Sequence, residues 1–519
     1  MNSRRHFLQG SAGGLALLTV PGWMAGCAKP VAAVAPVVAP PQVAPPPPHP
    51  FFAWFGVDEP LLASLVGELG KNGATFADVY LQHTRTVSIG LEDGIVSSAS
   101  ASIDQGAGLR TVIGDQQGYA FTEELTPEAM RGAAATAASI AKATAVVGPQ
   151  AFTLHTPGQA LYQVAVPWSE VGIDQRLPIL RAVEAYARAA DPSVTKVSVN
   201  WSDSEERVLV ATLDGRIHVD TRPMTRLWCI VTATRNGQSV SNSANLAGRR
   251  GLEWYDDANL RMLAKDAVDR TLVLFDAKRP PAGEMPVILA AGASGILLHE
   301  AIGHGLEADF NRTGTSIYSD MIGKPIASEF VTIVDSGVEA HTRGAIAFDD
   351  EGNPTEYTRL VEKGILRSYL HDQISARHYG VKPTGSGRRQ SFRFQPIPRM
   401  RATFMENGPH TREEIVASVK NGIIAETFTN GVVQIGAGDY TFYIKNGWLV
   451  ENGKVTAPIK DVNIIGNGPD SLRKVTMAAN DSKLDVGGWT CGKDGQGVPV
   501  SQGLPTVLVS SMTVGGVNG

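Results

Sequence analysis

The chain contains the stretch Ala291-Gly-Ala-Ser-Gly-Ile-Leu-Leu-His299-Glu300-Ala-Ile-Gly-His304-Gly-Leu-Glu-Ala-Asp-Phe310. Two histidines bracket a glutamate, directly after an apolar Ile-Leu-Leu run that would bury one side of a helix. A catalytic zinc takes three protein ligands of N, S or O type, keeps a fourth position for water, and has a carboxylate nearby. The stretch therefore indicates a metal site.

The spacing of the two histidines differs from that of familiar zinc peptidases, whose H-E-x-x-H motif separates them by four residues. His299 and His304 are five apart. At about 100° per residue this places the second ring roughly 140° from the first, against roughly 40° for a spacing of four. Because Gly303 and Gly305 flank His304, we expect a distorted or terminating turn at Gly303 that brings the rings together. The alternative is a buried helix that carries these residues without a metal.

The composition bounds the class of protein. A length of 519 residues exceeds what one hydrophobic core usually serves, so two or three domains are expected. The formal net charge of −5 and the 19% of charged residues give no electrostatic case for nucleic acid binding. No P-loop or dinucleotide fingerprint is present in the sequence.

The N-terminus has the features of an export signal. Ser3-Arg4-Arg5-His6-Phe7-Leu8 precedes a short, glycine-containing apolar stretch, which predicts a twin-arginine signal over residues 1–27, with a plain secretory signal as the alternative. Met24-Ala-Gly-Cys27 is similar to a lipoprotein cleavage box, so Cys27 is a candidate lipid anchor. Residues 28–56 are rich in proline and alanine and predict a semi-rigid linker. We therefore expect a periplasmic protein, either free or anchored to the membrane as a lipoprotein.

The three cysteines have different surroundings in the sequence. If Cys27 is removed or acylated, Cys229 and Cys491 are the one pair left that could form a disulfide. Cys229 lies in the strand-like run Leu-Trp-Cys-Ile-Val, where a small buried hydrophobic residue is expected. Cys491 lies in a glycine-rich stretch that predicts a loop, so it is the cysteine that needs a chemical explanation.

Periodicity divides the folded part into three units, and the fold class we predict is α+β. Residues 57–150 and 151–280 are expected to be mixed α/β units, each with its own sheet core. Residues 281–519 are expected to be a strand-rich catalytic domain, α+β or barrel-like. The predicted helices cover residues 59–72, 126–143, 175–190, 259–275 and 411–421. The predicted strands of the first two units include residues 78–82, 86–90, 196–201, 206–212, 216–220 and 228–235.

The third unit resembles the TldD/PmbA family of metallopeptidases, specifically its TldD-type subunit, whose hallmark is H-E-x-x-x-H. The likeness is dense in this unit and looser over residues 57–280. The stretches that carry it are residues 299–312, 346–355, 383–389, 396–400, 480–485 and 491–496. By position, the resemblance implies metal ligands at His299, His304 and Cys491 and a catalytic glutamate at Glu300. It also implies one zinc ion (Zn2+) per chain.

The resemblance further implies a zinc-dependent peptidase that hydrolyses small or unfolded peptides, with Glu300 as the general base for a metal-activated water. The family's site is sequestered in a dimer, commonly a heterodimer with a PmbA-type subunit. Export departs from the cytoplasmic members, so a homodimer is the alternative. The alternatives are a metal-dependent amidase acting on cell-wall or other non-peptide amides, and a non-catalytic, zinc-bearing partner subunit.

Three further expectations concern a pair of arginines, a cysteine and one short segment. Arg388 and Arg389 could grip a substrate carboxylate, or could form internal ion pairs. Cys491 could form a disulfide with Cys229 instead of binding metal. Residues 440–444 could be an edge strand that pairs with an extended peptide, or could pack in the core.

Overall fold

A computed structural model describes residues 49–139, 148–158, 160–434 and 437–516. The predicted twin-arginine signal, Cys27 and most of the predicted linker lie outside the described residues. Within these ranges, no helix has both the length and the apolar character needed to cross a membrane.

Residues 49–275 form one seven-stranded, mainly antiparallel sheet flanked by helices. The strands are β1 (Phe76–Glu92), β2 (Ile95–Ile113), β3 (Gln116–Thr122), β4 (Thr153–His155), β5 (Val194–Thr212), β6 (Arg216–Arg235) and β7 (Gln238–Gly248). The helices are α1 (Pro50–Phe55), α2 (Glu59–Leu69), α3 (Pro127–Ala138), α4 (Ile173–Ala190) and α5 (Asp257–Leu272). The strand order is β3-β2-β1-β5-β6-β4, and β7 also pairs with β6.

The two predicted N-terminal units share this sheet, whereas a separate sheet in each was expected. β1 pairs with β5 from Asp78↔Thr212 to Glu92↔Ser198, which joins the strands of both units. Two separate hydrophobic cores lie along the long strands, one under α2 and α3 and the other under α4 and α5. Strands of 17–20 residues can serve both cores because each core covers only part of their length. The domain boundaries themselves stay predictions.

The folded region begins before residue 57, where the linker was predicted to end. Pro50 occupies the first turn of α1, a position that its fixed φ suits. Phe52 and Phe55 are buried in the core under α2 and α3. Burial of two aromatic side chains stabilises this short helix, which the proline-rich composition alone did not reveal.

The C-terminal unit contains most of the short elements. Its helices are α6 (Gly295–Leu298), α7 (Ala308–Arg312), α8 (Gln373–Tyr379), α9 (Arg412–Ser418) and α10 (Gly468–Arg473). Its strands are β8 (Gly283–Leu289), β9 (Ile333–Ser336), β10 (Tyr357–Glu362), β11 (Ile365–Leu366), β12 (Gly387–Arg388), β13 (Ile397–Pro398), β14 (Ala402–Met405), β15 (Asn421–Gln434), β16 (Asp439–Glu451), β17 (Lys454–Ile459), β18 (Val462–Asn467), β19 (Val475–Ala478), β20 (Lys483–Leu484), β21 (Thr490–Lys493), β22 (Gln496–Pro499), β23 (Ser501–Leu504) and β24 (Val507–Gly516).

Pairing of β15 with both β8 and β16 closes a five-stranded ring, β15-β8-β24-β18-β16. A second, six-stranded sheet has the order β11-β10-β9-β14-β23-β20. α6 and the turn after it pack against strands of both sheets. The α+β class is confirmed, and the ring matches the barrel-like alternative.

β16 contains residues 440–444 and pairs with β15 on one side and β18 on the other. The segment is therefore not an edge strand. Its alternate side chains Tyr440, Phe442 and Ile444 are buried, as expected for core packing. A substrate peptide cannot pair with this part of the strand, because its backbone hydrogen bonds are already made.

Buried ion pairs connect the N-terminal sheet to the C-terminal unit. The Arg110 guanidinium lies 2.6 Å from Asp78 and 2.7 Å from Glu351, and all three side chains are fully buried. Arg389 adds a second contact to Asp78, at 2.9 Å. Breaking such a network at one member leaves an uncompensated charge in the interior.

Arg110→Met is therefore expected to lower the free energy of unfolding by about 3–5 kcal/mol, measured by urea denaturation. The control is Arg261→Met, which removes an exposed i,i+4 pair with Asp257 and should leave the urea midpoint close to that of wild type. Equal effects of the two substitutions would show that the buried network does not hold the two parts together.

Candidate metal centre

The backbone between the two histidines is not a regular α-helix. α6 ends at Leu298 and continues as one π turn over His299–Gly303, followed by a 3-10 turn over His304–Leu306. The N–H of His304 donates to the carbonyl of His299, an i→i+5 bond. This bond places residue i+5 over residue i, so the two rings meet edge to face, with centroids 5.2 Å apart and an angle of 81° between their planes. The expected distortion is confirmed.

The glycines beside His304 serve close packing. Gly303 has helical dihedrals, φ −60° and ψ −48°, that any residue could adopt. A Cβ on Gly303 would lie 2.0 Å from Sδ of Met400, and one on Gly305 would lie 2.7 Å from the ring of Tyr318. The segment can therefore sit deep in the core because these two positions have no side chain.

Cys491 reaches the histidines from a two-stranded hairpin, β21–β22, where a loop was predicted. The turn residues Asp494 and Gly495 both have positive φ, 50° and 72°, as an Asp-Gly hairpin turn requires. Cys491 Sγ lies 3.3 Å from His304 Nε2. One ligand atom each of His299, His304 and Cys491 lie within 4.8 Å of one another, so the fold brings the three predicted ligands together.

The chemistry of these three side chains fits a metal ion. His299 is 1% exposed, yet neither ring nitrogen has a hydrogen-bond partner. Such groups are rare in native interiors because an unpaired buried polar atom costs free energy. Burial alone would raise the pKa of Cys491, but the two imidazoles lower it well below its usual value, which favours the thiolate. Two imidazoles and a thiolate form a donor set that suits zinc.

Glu307 orients His304. Its Oε2 lies 2.9 Å from His304 Nδ1 and 3.1 Å from Lys493 Nζ. Burial alone would raise the pKa of Glu307, but Lys493 and His304 outweigh it and lower the pKa to about 2. A carboxylate at Nδ1 keeps the ring proton there, which leaves Nε2 free to bind a metal beside Cys491.

Glu300 differs from these residues in its exposure. Its side chain is 23% exposed, whereas that of His304 is 2% exposed. Its Oε2 lies 3.8 Å from His304 Nε2, the nitrogen that faces Cys491. Glu300 is therefore a partly exposed carboxylate beside the buried donor set.

Family models match three consecutive parts of the chain. They are described as PmbA/TldA metallopeptidase domain 1, matching residues 77–141, the central domain, matching 166–275, and the C-terminal domain, matching 282–516. The chain belongs to the TldD/PmbA family of metallopeptidases. The metal centre lies within the part matched by the C-terminal family domain.

Individual TldD/PmbA proteins match nearly end to end. A metalloprotease TldD homolog of Haemophilus influenzae is 40% identical over 464 residues, which cover 88% of this chain and 96% of that protein. A zinc metalloprotease TldD homolog of Saccharolobus solfataricus is 27% identical over 460 residues, which cover 86% of this chain and 97% of that protein. The crystal structure of TldE from Thermococcus kodakarensis has a TM-score of 0.67 at 17% identity. The match covers 88% of this chain and 100% of that chain, so the two proteins share the fold. The chain is thus a TldD/PmbA metallopeptidase with a metal cofactor.

The structure also shows where this metallopeptidase places the other predicted residues. Arg388 donates to the carbonyls of Met400 and Pro499, and Arg389 pairs with Asp78. Both guanidinium groups thus bond to other parts of the chain, and the contacts of Arg389 are those of an internal ion pair.

The disulfide alternative is wrong. Cys229 and Cys491 are both free and buried, and Cys229 lies in β6 within the core under α4 and α5. Its surroundings are those of the small buried hydrophobic residue that its strand-like sequence predicted. Cys491 is therefore available to bind a metal.

Three residues around the centre were given no role from sequence: Glu307, Lys493 and Arg399. The Arg399 Nη2 donates to the carbonyl of Cys491 at 2.6 Å and so fixes the hairpin. Glu307 follows His304 by three residues, a spacing that puts both on one face of a helical turn. Lys493 follows Cys491 by two, which puts both on one face of a strand. These two spacings were the sequence features that could have placed Glu307 and Lys493 beside the metal ligands.

Glu307→Gln is expected to lower zinc affinity about 10–100-fold, the usual effect of losing a carboxylate behind a metal-bound imidazole. A competition titration with a coloured chelator measures this. Glu329→Gln, on the exposed surface of the same unit, is the control and should leave the affinity unchanged. Wild-type affinity in Glu307→Gln would show that the carboxylate does not support the ligand.

Proposed function

We propose that the chain is a zinc-dependent peptidase that hydrolyses small or unfolded peptides, with one zinc ion held by His299, His304 and Cys491. The observation that carries this proposal is the convergence of these three ligand atoms within 4.8 Å, next to the partly exposed carboxylate of Glu300. The name zinc metalloprotease, carried by the relative from Saccharolobus solfataricus, supports the choice of metal.

Bound zinc would supply a Lewis acid and lower the pKa of a water molecule. Glu300 acts as the general base that takes the proton of this water as its oxygen attacks the peptide carbonyl carbon. As the C–N bond breaks, Glu300 passes the proton to the leaving amine nitrogen. Glu307, itself paired with Lys493, holds the His304 ring in the orientation in which its Nε2 would bind the metal.

Burial supports the choice of small or unfolded substrates. His299, His304 and Cys491 are each at most 2% exposed, whereas the Glu300 side chain beside them is 23% exposed. A folded protein cannot present a peptide bond to groups at this depth without local unfolding. An extended chain occupies less width and needs no such unfolding.

Zinc analysis combined with a substrate panel tests the proposal. The purified protein is expected to contain one zinc per chain and to cleave unstructured peptides, but not the same sequences inside a folded protein. Cleavage of non-peptide amides alone would support an amidase instead. Bound zinc without any amide cleavage would support a non-catalytic subunit.

We further propose that the protein is exported by the twin-arginine route to the periplasm, with Cys27 as a candidate anchor. The paired Arg4 and Arg5 before an apolar stretch support this. Cell fractionation of wild-type protein and of Arg4→Lys/Arg5→Lys protein tests it. Retention of the variant in the cytoplasm is expected. Intact-mass measurement of the mature wild-type protein shows whether Cys27 is acylated. Equal export of both proteins would exclude the route.

We propose that the protein acts as a dimer, either with itself or with a PmbA-type subunit. Exposed apolar side chains along β2 and β3 support this proposal: Ile95, Ile103 and Phe121 are 71%, 64% and 48% exposed. Light scattering on the purified protein should give twice the chain mass. A monomer that gains activity only with a second subunit would favour the heterodimer.

A further inference from the structure

A large open cavity lies between the N-terminal sheet and the C-terminal unit. Its volume is 640 Å³. Residues of β1, β2, β5 and β6 form one wall, and residues 388–394 with the β21–β22 hairpin form the other. Neighbouring residues of a strand point to opposite faces, so Thr490 lines the cavity while Cys491 faces His304. The cavity and the metal centre therefore lie on opposite faces of one hairpin.

The walls of this cavity carry a surplus of positive charge. The arginines that line it are Arg222, Arg249, Arg343, Arg388, Arg389 and Arg393. The carboxylates that line it are Asp104, Glu206 and Asp350. Six guanidinium groups thus line one open cavity together with three carboxylates, an arrangement that attracts negatively charged ligands.

Half of these arginines are already neutralised. Arg222, Arg389 and Arg393 each have a carboxylate within 2.9 Å. Within the part of the chain that the structure describes, the other three form no ion pair. These three are Arg249, Arg343 and Arg388. The surplus positive charge of the cavity therefore lies on these three side chains.

The three unpaired arginines are also buried. Arg249, Arg343 and Arg388 are 3%, 8% and 4% exposed. Burial, together with neighbouring guanidinium groups, lowers the pKa of Arg343 to about 10. Burial also lowers the pKa of Arg388 to about 9, although the nearby Asp350 carboxylate opposes this shift. A buried cation with no carboxylate in direct contact is destabilising. Their position is thus poorly explained by stability alone.

The existing hydrogen bonds leave donors available. Arg388 donates to two neutral carbonyls, those of Met400 and Pro499. Arg249 donates from Nη1 to the carbonyl of Pro223 at 3.3 Å, and its Nε has no partner. Neutral acceptors do not compensate a guanidinium charge, so an anion entering the cavity would meet incompletely satisfied cations.

We propose that this arginine cavity binds the carboxylate groups of a short acidic peptide. A guanidinium group matches a carboxylate with two parallel hydrogen bonds. The volume lies in the range of about 300–1,000 Å³ typical of organic ligand sites, which is more than a single inorganic anion fills. Thr84, which also lines the cavity, has a buried hydroxyl without a partner that suits a peptide group. This inference concerns binding and does not rest on the proposed function.

Calorimetric titration with three probes tests the proposal. The probes are acetyl-Glu-Ala-Glu-amide, acetyl-Gln-Ala-Gln-amide and inorganic phosphate. Full-length wild-type protein and Glu300→Gln protein are both titrated, so that cleavage does not mix with binding. The glutamate peptide is expected to bind once per chain, at least tenfold more tightly than either other probe. Equal binding of the glutamine peptide, equal binding of phosphate, or no binding of the glutamate peptide would overturn the proposal.

Arg249→Met locates the bound peptide. It is expected to weaken binding of the glutamate peptide at least tenfold while leaving the thermal midpoint equal or higher, because it removes an unpaired buried cation. Arg261→Met makes the same charge change on the exposed face of α5 and should keep binding within twofold. Arg388→Met is the second variant if Arg249→Met fails to fold. Wild-type binding in the folded variant would refute the site.

Discussion

Protein carrying Glu300→Gln is expected to hydrolyse peptides about 10²–10⁴-fold more slowly than wild type while holding the same amount of zinc. The amide of glutamine has nearly the shape of the carboxylate but cannot accept the proton of the attacking water. Glu300 makes no contact closer than 3.8 Å to the nearest ligand nitrogen, so the donor set should stay intact. The loss should therefore appear in kcat, with zinc content unchanged.

Single-turnover hydrolysis of a fluorogenic peptide measures the rate, and elemental analysis measures the zinc. Glu329→Gln is the matched control, since it makes the same chemical change on the exposed surface of the same unit. Full activity in Glu300→Gln would exclude this carboxylate as the base. Loss of zinc in Glu300→Gln would show instead that Glu300 helps to hold the metal.

Cys491→Ser is expected to lower zinc affinity by more than about 100-fold. Losing an outer partner of a metal ligand costs about 10–100-fold, and losing the ligand itself must cost more. The thiolate is the one charged member of the donor set, and serine offers a neutral hydroxyl that binds zinc poorly. Competition with a chelator of known affinity gives the value.

Cys229→Ser is the control for replacing a buried cysteine. Its side chain is fully buried in a different core, so it should lower stability but keep the zinc affinity of wild type. Retention of one tightly bound zinc by Cys491→Ser would falsify the His₂Cys donor set. In that outcome His299→Ala would show whether the two imidazoles hold the metal without the sulfur.

Local sequence predicted α2 to α5 and α9, because their signals lie within a few residues, whereas α1, α7, α8 and α10 were not predicted. Thr126 caps α3 as expected, and Thr411 and Glu414 form the predicted capping box of α9. The long strands were predicted in pieces, such as residues 78–82 and 86–90, which form the single strand β1. Half-buried stretches between the pieces lack the alternation that marks a strand, and pairing with neighbours on both sides completes them.

The metal ligands were identified, but their surroundings were not. His299 and His304 stand five residues apart in the sequence, and a π turn lets both side chains point toward the same site. Glu307, Lys493 and Arg399 converge on the centre from separate elements. Only the assembled fold brings Lys493 to a carboxylate 186 residues earlier in the chain.

By itself the sequence determined which residue types are present for the chemistry: two imidazoles and a carboxylate on one segment, a thiol far downstream, and a set of arginines. The tertiary structure alone decided which of them meet. The β21–β22 hairpin turns Cys491 toward the histidines and Thr490 toward the arginine cavity. The physical reason is that ligand binding depends on distances of a few ångströms, which long-range strand pairing sets and local sequence does not encode.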